Sequence, residues 1–407
     1  MKIQEIEISN YRGIDKINLK LNGKSTIFFG DNGSGKTTLL DSITVLLSRY
    51  INKVNRHEST KKIEDKDIMF GRSEARCSIT IDYDNEIYTW GSKKDRKRSW
   101  TLISDLPKLS ERILQNVTNE KSIPIIAYYP VNRSVLDIPI RIRKKHDFTQ
   151  VASYEKALGF GANFRVFFEW YRNQEDIENE LKLENKKYKE DSQLRSVRQA
   201  IYSCMPIEKI RITRRPLRML VNKGRQTFEV SQLSDGEKCL FAMIGDLARR
   251  LSIANPHGNP LESSGIVLID EIDLHLHPAW QRKIIPLLKL TFPRIQFIVS
   301  THSPQILGES EDMNLFCLAN KDGVITVEAT DPLFGQDSNR IMTEKMGVSE
   351  RDEKIKKQLD LLFVSIRKHD WENVDKIRSE IEPILGKSEP ELIKADVLTR
   401  RRNLVGK

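Results

Sequence analysis

Cysteine is scarce in this chain of 407 residues: Cys77, Cys204, Cys239 and Cys317 lie far apart, with no CxxC pair. That spacing argues against a disulfide framework and a zinc knuckle, and fits a reducing, cytoplasmic setting. No stretch approaches the roughly 18 consecutive apolar residues of a membrane span, so no membrane partner is expected. The opening, Met1-Lys2-Ile3-Gln4-Glu5-Ile6-Glu7, is charged and alternating, unlike a signal peptide. With only 20 Gly and 15 Pro, collagen-like and low-complexity classes are excluded.

What is present is a globular composition, 30% charged and 39% hydrophobic. The length allows roughly two to three domains, or one large domain with insertions. The net charge of +10 suits phosphate ligands as well as a polyanionic partner.

Strand patterns dominate the start. Ile6-Glu7-Ile8 and Ile17-Asn18-Leu19-Lys20-Leu21 alternate, while Thr26-Ile27-Phe28-Phe29 is continuously apolar, as a strand buried on both faces would be. A helical run follows at Leu39, Leu40, Ile43 and Leu47. The polar stretch Lys53 to Arg72 reads as loop and short helix. Cys77–Tyr83 and Ile87–Trp90 suggest a hairpin across Asp84-Asn85-Glu86. A basic run spans Lys93 to Arg98, and Ile123–Tyr129 is a further strand candidate. From Phe148 to Met205 the pattern is helical, with Phe164, Phe167, Phe168 and Tyr171 on one face and a charged, solvated helix or hairpin over Arg172–Arg198. A second basic cluster comprises Lys209, Arg211, Arg214, Arg215 and Arg218. Strands resume at 265–269, 295–299, 315–318 and 324–327. Beyond Ser349 a helical tail is expected, with Ile355, Leu359, Leu362 and Ile366 on one face and breaks at Pro383, Gly386 and Pro390.

The chemistry concentrates in three places. Gly30-Asp31-Asn32-Gly33-Ser34-Gly35-Lys36-Thr37 matches G-x-x-x-x-G-K-[ST] between a strand and a helix. Its backbone N–H groups form an anion nest, with the helix N-terminus adding positive partial charge. Lys36 is expected at the β- and γ-phosphates of ATP, Thr37 on Mg²⁺, and Asn32, Gly33, Ser34, Gly35 and Thr38 around the phosphates. Gly265–Ile269 ends in Asp270, placed to hold Mg²⁺, and Glu271, placed as general base. Ile298-Val299-Ser300-Thr301 presents His302, suited to sensing the γ-phosphate or attacking water. Leu233-Ser234-Asp235-Gly236-Glu237 opens a helix and alone reads as a capping box. For His275-x-His277, no cysteine or third histidine completes a zinc site.

Together with these motifs, the Leu233–Glu237 segment resembles the signature of ABC ATPases, usually Leu-Ser-Gly-Gly-Gln. The motif order resembles the RecF/SMC/OLD group, as does the opening Ile8-Ser9-Asn10-Tyr11-Arg12-Gly13. Asp270-Glu271-Ile272-Asp273-Leu274-His275-Leu276-His277-Pro278 is similar to stand-alone bacterial AAA-family members, including the PtuA-like ATPases of Septu and retron anti-phage systems. The resemblance covers residues 1–50 and 220–345. It implies an α/β P-loop NTPase fold: an ABC-ATPase head with an N-terminal antiparallel β lobe, a helical insertion and a helical C-terminal tail. The expected division is 1–147, the β lobe and phosphate loop; 148–205, the insertion; 206–348, the signature, Asp270-Glu271 and His302; and 349–407, a tail for docking or oligomerisation.

The resemblance further implies Arg12 near the nucleotide, and a homodimer or higher homo-oligomer paired head-to-tail. Ser234 and the Gly236 N–H of one chain would cap the γ-phosphate held by Lys36 of the other, while Asp273 and His275 would belong to the crossing segment. Asp235 and Glu237 depart from the usual Gly and Gln; their negative charge is expected to slow hydrolysis. A glutamine loop is implied as well, with Gln150 and Asn132-Arg133 both candidates. Functionally, the expectation is an ATP-hydrolysing switch subunit of an anti-phage system that controls a separate effector such as an HNH nuclease. After Val327 no Glu plus Asp-x-Asp set suggests a fused nuclease. The alternative is a RecF/SMC-like DNA-repair or DNA-end-binding ATPase, with DNA contacting the basic stretches.

Overall fold

The computed structural model describes residues 1–55, 61–131, 149–159, 161–162, 164–184, 190–348 and 351–405. The chain divides into two compact units, Met1–Gln336 and Asp337–Lys407.

The first unit opens with β1 (Lys2–Tyr11) and β2 (Ile14–Lys20), then β3 (Thr26–Phe29) and α1 (Lys36–Val54). Next come β4 (Glu74–Tyr83), β5 (Glu86–Asp95), β6 (Ser99–Ser104), α2 (Leu106–Thr118) and β7 (Ile125–Tyr129). The antiparallel sheet runs β2-β1-β4-β5-β6. Its β4–β5 turn is Asp84-Asn85, both at positive φ, the backbone of a two-residue hairpin whose twist matches the strands.

The middle of the chain forms α3 (Phe164–Glu184), α4 (Ser192–Cys204), β8 (Lys209–Arg214), β9 (Leu217–Lys223), β10 (Gln226–Glu229) and α5 (Asp235–Ala254). Phe164, Phe167, Phe168 and Tyr171 face inward as their spacing predicts. Arg172–Arg198 differs from a solvated helix: Glu175 and Glu178 are buried, neutralised by Arg214 and Arg198 respectively. The second basic cluster begins a small β10-β9-β8 sheet, and Arg214 is tied to Glu175 and Asp176.

The unit closes with β11 (Gly265–Ile269), α6 (Pro278–Thr291), β12 (Ile295–Thr301), α7 (Pro304–Leu307), β13 (Asn314–Lys321) and β14 (Val324–Thr330). The central sheet has the order β14-β13-β3-β12-β11-β7. All its neighbours are parallel except the edge strand β14. Continuous burial of β3, β11 and β12 explains their unbroken apolar runs. Because β3, β7, β11 and β12 run the same way, the loops that follow them share one edge of the sheet, where α/β proteins bind ligands.

The second unit contains α8 (Ser338–Glu344), α9 (Glu353–Lys368), α10 (Trp371–Leu385) and α11 (Pro390–Val405). Leu359, Leu362, Ile366, Val374, Ile377, Ile381 and Leu392 form its core. Pro383 lies inside the last turn of α10 rather than ending it; Gly386 takes positive φ at the C-cap and Pro390 opens α11. None of the described helices is long and apolar enough to cross a membrane.

Candidate functional site: a phosphate loop facing two carboxylates

At the carboxyl end of β3 the chain turns through Gly30, Gly33 and Gly35, all at positive φ. Two of these glycines are enforced by close approach. A Cβ on Gly30 would lie 2.1 Å from the Leu318 carbonyl oxygen, and one on Gly35 would lie 2.3 Å from the Ile325 side chain. The loop then feeds its N–H groups into the first turn of α1. Lys36 is buried there, and its Nζ donates to the Gly30 and Asp31 carbonyls at 2.9 Å each. Burial lowers the Lys36 pKa, while Glu271, Asp270, Asp273 and Asp31 pull it the other way. Ser34 is 2% exposed, and its buried Oγ has no hydrogen-bond partner.

Opposite the loop, Asp270 and Glu271 leave β11. Thr37 Oγ1 donates to Asp270 Oδ2 at 2.8 Å, and Ser300 Oγ donates to Asp270 Oδ1 at 2.5 Å. Ser300 also accepts from the Glu271 N–H at 2.7 Å, so one hydroxyl sets both acids. Glu271 takes positive φ, turning the chain away from the strand. From β12, His302 brings Nε2 to 3.6 Å from Glu271 Oε1; this nitrogen is buried and makes no hydrogen bond. Asp273 accepts from Thr301 Oγ1 at 2.6 Å and from the His302 N–H at 3.4 Å, which pins the histidine's backbone.

Ser234 caps α5. Its Oγ accepts from the Glu237 N–H at 3.4 Å and donates to Glu237 Oε2 at 2.9 Å. Burial alone would raise the Glu237 pKa, but hydrogen bonds from Lys223 and Ser234 bring it below the usual value. Gly236 packs against the loop that follows Glu271: a Cβ there would lie 2.2 Å from the His275 carbonyl oxygen. Ser234, Gly236, Leu240, His275, His277 and Trp280 line a cleft of about 490 Å³. His277 caps α6, its Nδ1 accepting from the Ala279 N–H.

The family described as "AAA domain, putative AbiEii toxin, Type IV TA system" matches residues 25–308, more than half of the chain and all of the phosphate-loop, Asp270 and His302 elements. The chain belongs to this family. It is 32% identical to "Retron Ec83 probable ATPase" of Escherichia coli, over 79% of this chain and 72% of that one. It is 33% identical to "Retron Vc95 probable ATPase" of Vibrio cholerae serotype O1 biovar El Tor, over 75% and 71%. "Septu protein PtuA" of Bacillus thuringiensis is 24% identical over 78% of this chain and 75% of that one. This family member is an ATPase.

Of the residues expected from sequence, Thr37 and Asp270 meet directly, Glu271 and His302 lie side by side, and Lys36 feels both acids. Asn32 is exposed on the loop and Thr38 is half-buried in the first turn of α1. Arg12 is held between Asp67 and Asp41, the latter one turn along α1 from Thr37. Gln150 is at the wrong edge of the sheet for a glutamine loop. Its Nε2 donates to the carbonyls of Lys121 and Ala254, beside the start of β7. Asn132-Arg133 lie outside the described residues.

Sequence reasoning missed Ser300, which organises both carboxylates, and the part Asp273 plays under His302. A small hydroxyl at the second-to-last position of a buried strand was the available signal for Ser300.

Proposed function

We propose that this ATPase is a switch whose two phases are a separated and a paired state. In the reading, Lys36 and the loop N–H groups hold the triphosphate, with Asn32, Gly33, Ser34, Gly35 and Thr38 around it. The buried Ser34 hydroxyl supplies a donor without another acceptor. Thr37 and Asp270 fit a hard divalent cation such as Mg²⁺, which needs few protein oxygens when phosphates and water complete the octahedron. Bound there, Mg²⁺ would neutralise charge between the phosphoryl oxygens. Glu271 accepts a proton from the attacking water, and His302, fixed by Asp273, donates toward the γ-phosphate.

Thr37 is exposed, and Glu271 and His302 keep 28% and 25% of their side-chain surface exposed. Ser234 is exposed at the tip of α5, with the helix N-terminus behind it. Pairing two chains head-to-tail about a two-fold axis would bring this tip over the partner's triphosphate, so that ATP closes the pair and hydrolysis releases it. The released or restrained partner is a separate effector, such as an HNH-type nuclease, in an anti-phage system.

The observation that carries the reading is the Thr37–Asp270 hydrogen bond, which joins the two halves of the site across the sheet. Its test is Glu271→Gln with ATP and Mg²⁺, followed by light scattering. The variant should accumulate as an ATP-dependent pair; a monomer that turns over ATP at the normal rate would sink the proposal.

A second reading, DNA binding, draws on exposed Arg96, Lys97 and Arg98 at the β5–β6 turn and exposed Lys209, Arg211 and Arg215. Lys93, Lys94 and Arg214 are already paired with Glu74, Asp65 and Glu175, which leaves less charge for DNA than the sequence promises. Duplex DNA that stimulates the ATPase, with affinity falling steeply as salt rises, would favour this second reading.

A further inference from the structure

The phosphate loop is backed by a hairpin that lies far from it in the sequence. β13 runs parallel to β3 as far as Cys317, opposite Phe29, and continues to Lys321 after β3 has ended. It then turns through Asp322 and Gly323, both at positive φ, into β14. The extended part of this hairpin meets the loop at three points. The Leu318 carbonyl closes on Gly30, the Ile325 side chain closes on Gly35, and Asn320 Nδ2 donates to the Gly33 carbonyl at 3.2 Å. Ile325 also fastens the hairpin to the β1–β2 corner, its N–H donating to the Gly13 carbonyl at 2.7 Å.

The Asn320 amide can sit only one way round. Its Oδ1 accepts from the Gly323 N–H at 3.1 Å, and the carbonyl of Gly33 can only accept, so Nδ2 faces the loop. Packing holds Gly30 and Gly35. At Gly33, where an added Cβ would meet nothing within 4 Å, the tie is this hydrogen bond. A trans peptide sets its C=O opposite its N–H, so holding the Gly33 carbonyl from outside fixes the direction of the Ser34 N–H in the same plane. That N–H points back across the loop to the Asp31 carbonyl at 3.1 Å, which Lys36 Nζ also meets. The loop is therefore drawn together from within by Ser34 and Lys36 and held from behind by Asn320.

We propose that Asn320 is a positioning residue for the phosphate loop; this rests on that loop holding the triphosphate. It keeps the Gly33 peptide from rotating, so less of the loop has to be ordered when nucleotide binds. The gain falls on every ligand that carries the phosphates, and on affinity rather than on the chemical step.

The experiment is calorimetric titration of wild type, Asn320→Ala, Asn320→Ser and Lys36→Ala with Mg-ATP and with Mg-tripolyphosphate, with KM, kcat and Tm measured alongside. A serine hydroxyl can still accept from the Gly323 N–H within the turn but is too short to reach Gly33, so it separates the tie to the loop from the turn itself. Asn320→Ala and Asn320→Ser should each weaken both ligands by about two- to ten-fold, the range of one neutral hydrogen bond. In Asn320→Ser, KM for ATP should rise while kcat stays within about two-fold and Tm is unchanged. Wild-type affinity in Asn320→Ser, with the loss confined to Asn320→Ala, would make Asn320 a turn residue only and overturn the assignment. Unchanged affinity in both variants, or a fall in kcat without a rise in KM, overturns it as well. Normal ATP binding by Lys36→Ala instead removes the phosphate-site reading, and this inference with it.

Discussion

A lysine ammonium that donates to two carbonyls of its own loop is ready to exchange them for phosphate oxygens. Lys36 is in that state, with four carboxylates acting on it and most of its surface away from water. Replacing it by alanine removes a charged hydrogen-bond donor, worth about 1.5–3 kcal/mol, so ATP should bind roughly ten- to a hundred-fold more weakly by calorimetry. The lowered pKa gives a second expectation. Bound triphosphate favours the charged amine, so affinity must decline as pH rises through the free protein's Lys36 pKa, which lies below the ordinary 10.5. Titrations across the alkaline range should show that decline in wild type and not in Lys36→Ala. A flat wild-type profile would mean that the amine does not meet phosphate.

At the scale of elements, α5 joins the Ser234 tip to the sheet through buried charge. Asp246 is fully buried and accepts from Arg249 at 2.8 Å, Arg250 at 2.7 Å and Tyr129 Oη at 3.1 Å. Tyr129 in turn uses its carbonyl to accept the Asp270 N–H. Burial would raise the Asp246 pKa, but the two guanidinium groups reverse that and lower it. Asp246→Ala strands two buried cations, so we expect a loss of about 3–5 kcal/mol in denaturant unfolding. A change below about 1 kcal/mol would show that water replaces the carboxylate without cost.

The same element shows what was legible in the sequence. The phosphate loop, Asp270-Glu271 and His302 could be read because each follows an apolar run along a few consecutive residues. The Asp246–Tyr129 bond spans 117 positions, and no local pattern announces it. Glu178 looked solvated for the same reason: its partner Arg198 lies 20 residues away, on the next helix.

For the whole molecule, the question is whether the α5 tip serves only its own helix. The capping box satisfies Ser234 internally, so a purely local role would predict little effect from a large exposed substituent beyond the loss of a cap, about 1 kcal/mol. Head-to-tail pairing predicts more. The tip must fit against a partner's triphosphate, and the Asp235 and Glu237 charges already tax that approach. Lys223 and Lys238 offset them, pairing with Glu237 and Asp235. An arginine at position 234 would add bulk where the γ-phosphate has to enter. In a Glu271→Gln background, Ser234→Arg should therefore abolish ATP-dependent pairing in light scattering while ATP affinity of the single chain stays within about two-fold, since Lys36, Thr37 and Asp270 are untouched. Ser234→Ala, which loses the cap without adding bulk, should weaken pairing and not remove it. Pairing that survives Ser234→Arg intact would reduce the motif to a helix start and leave closure to some other surface.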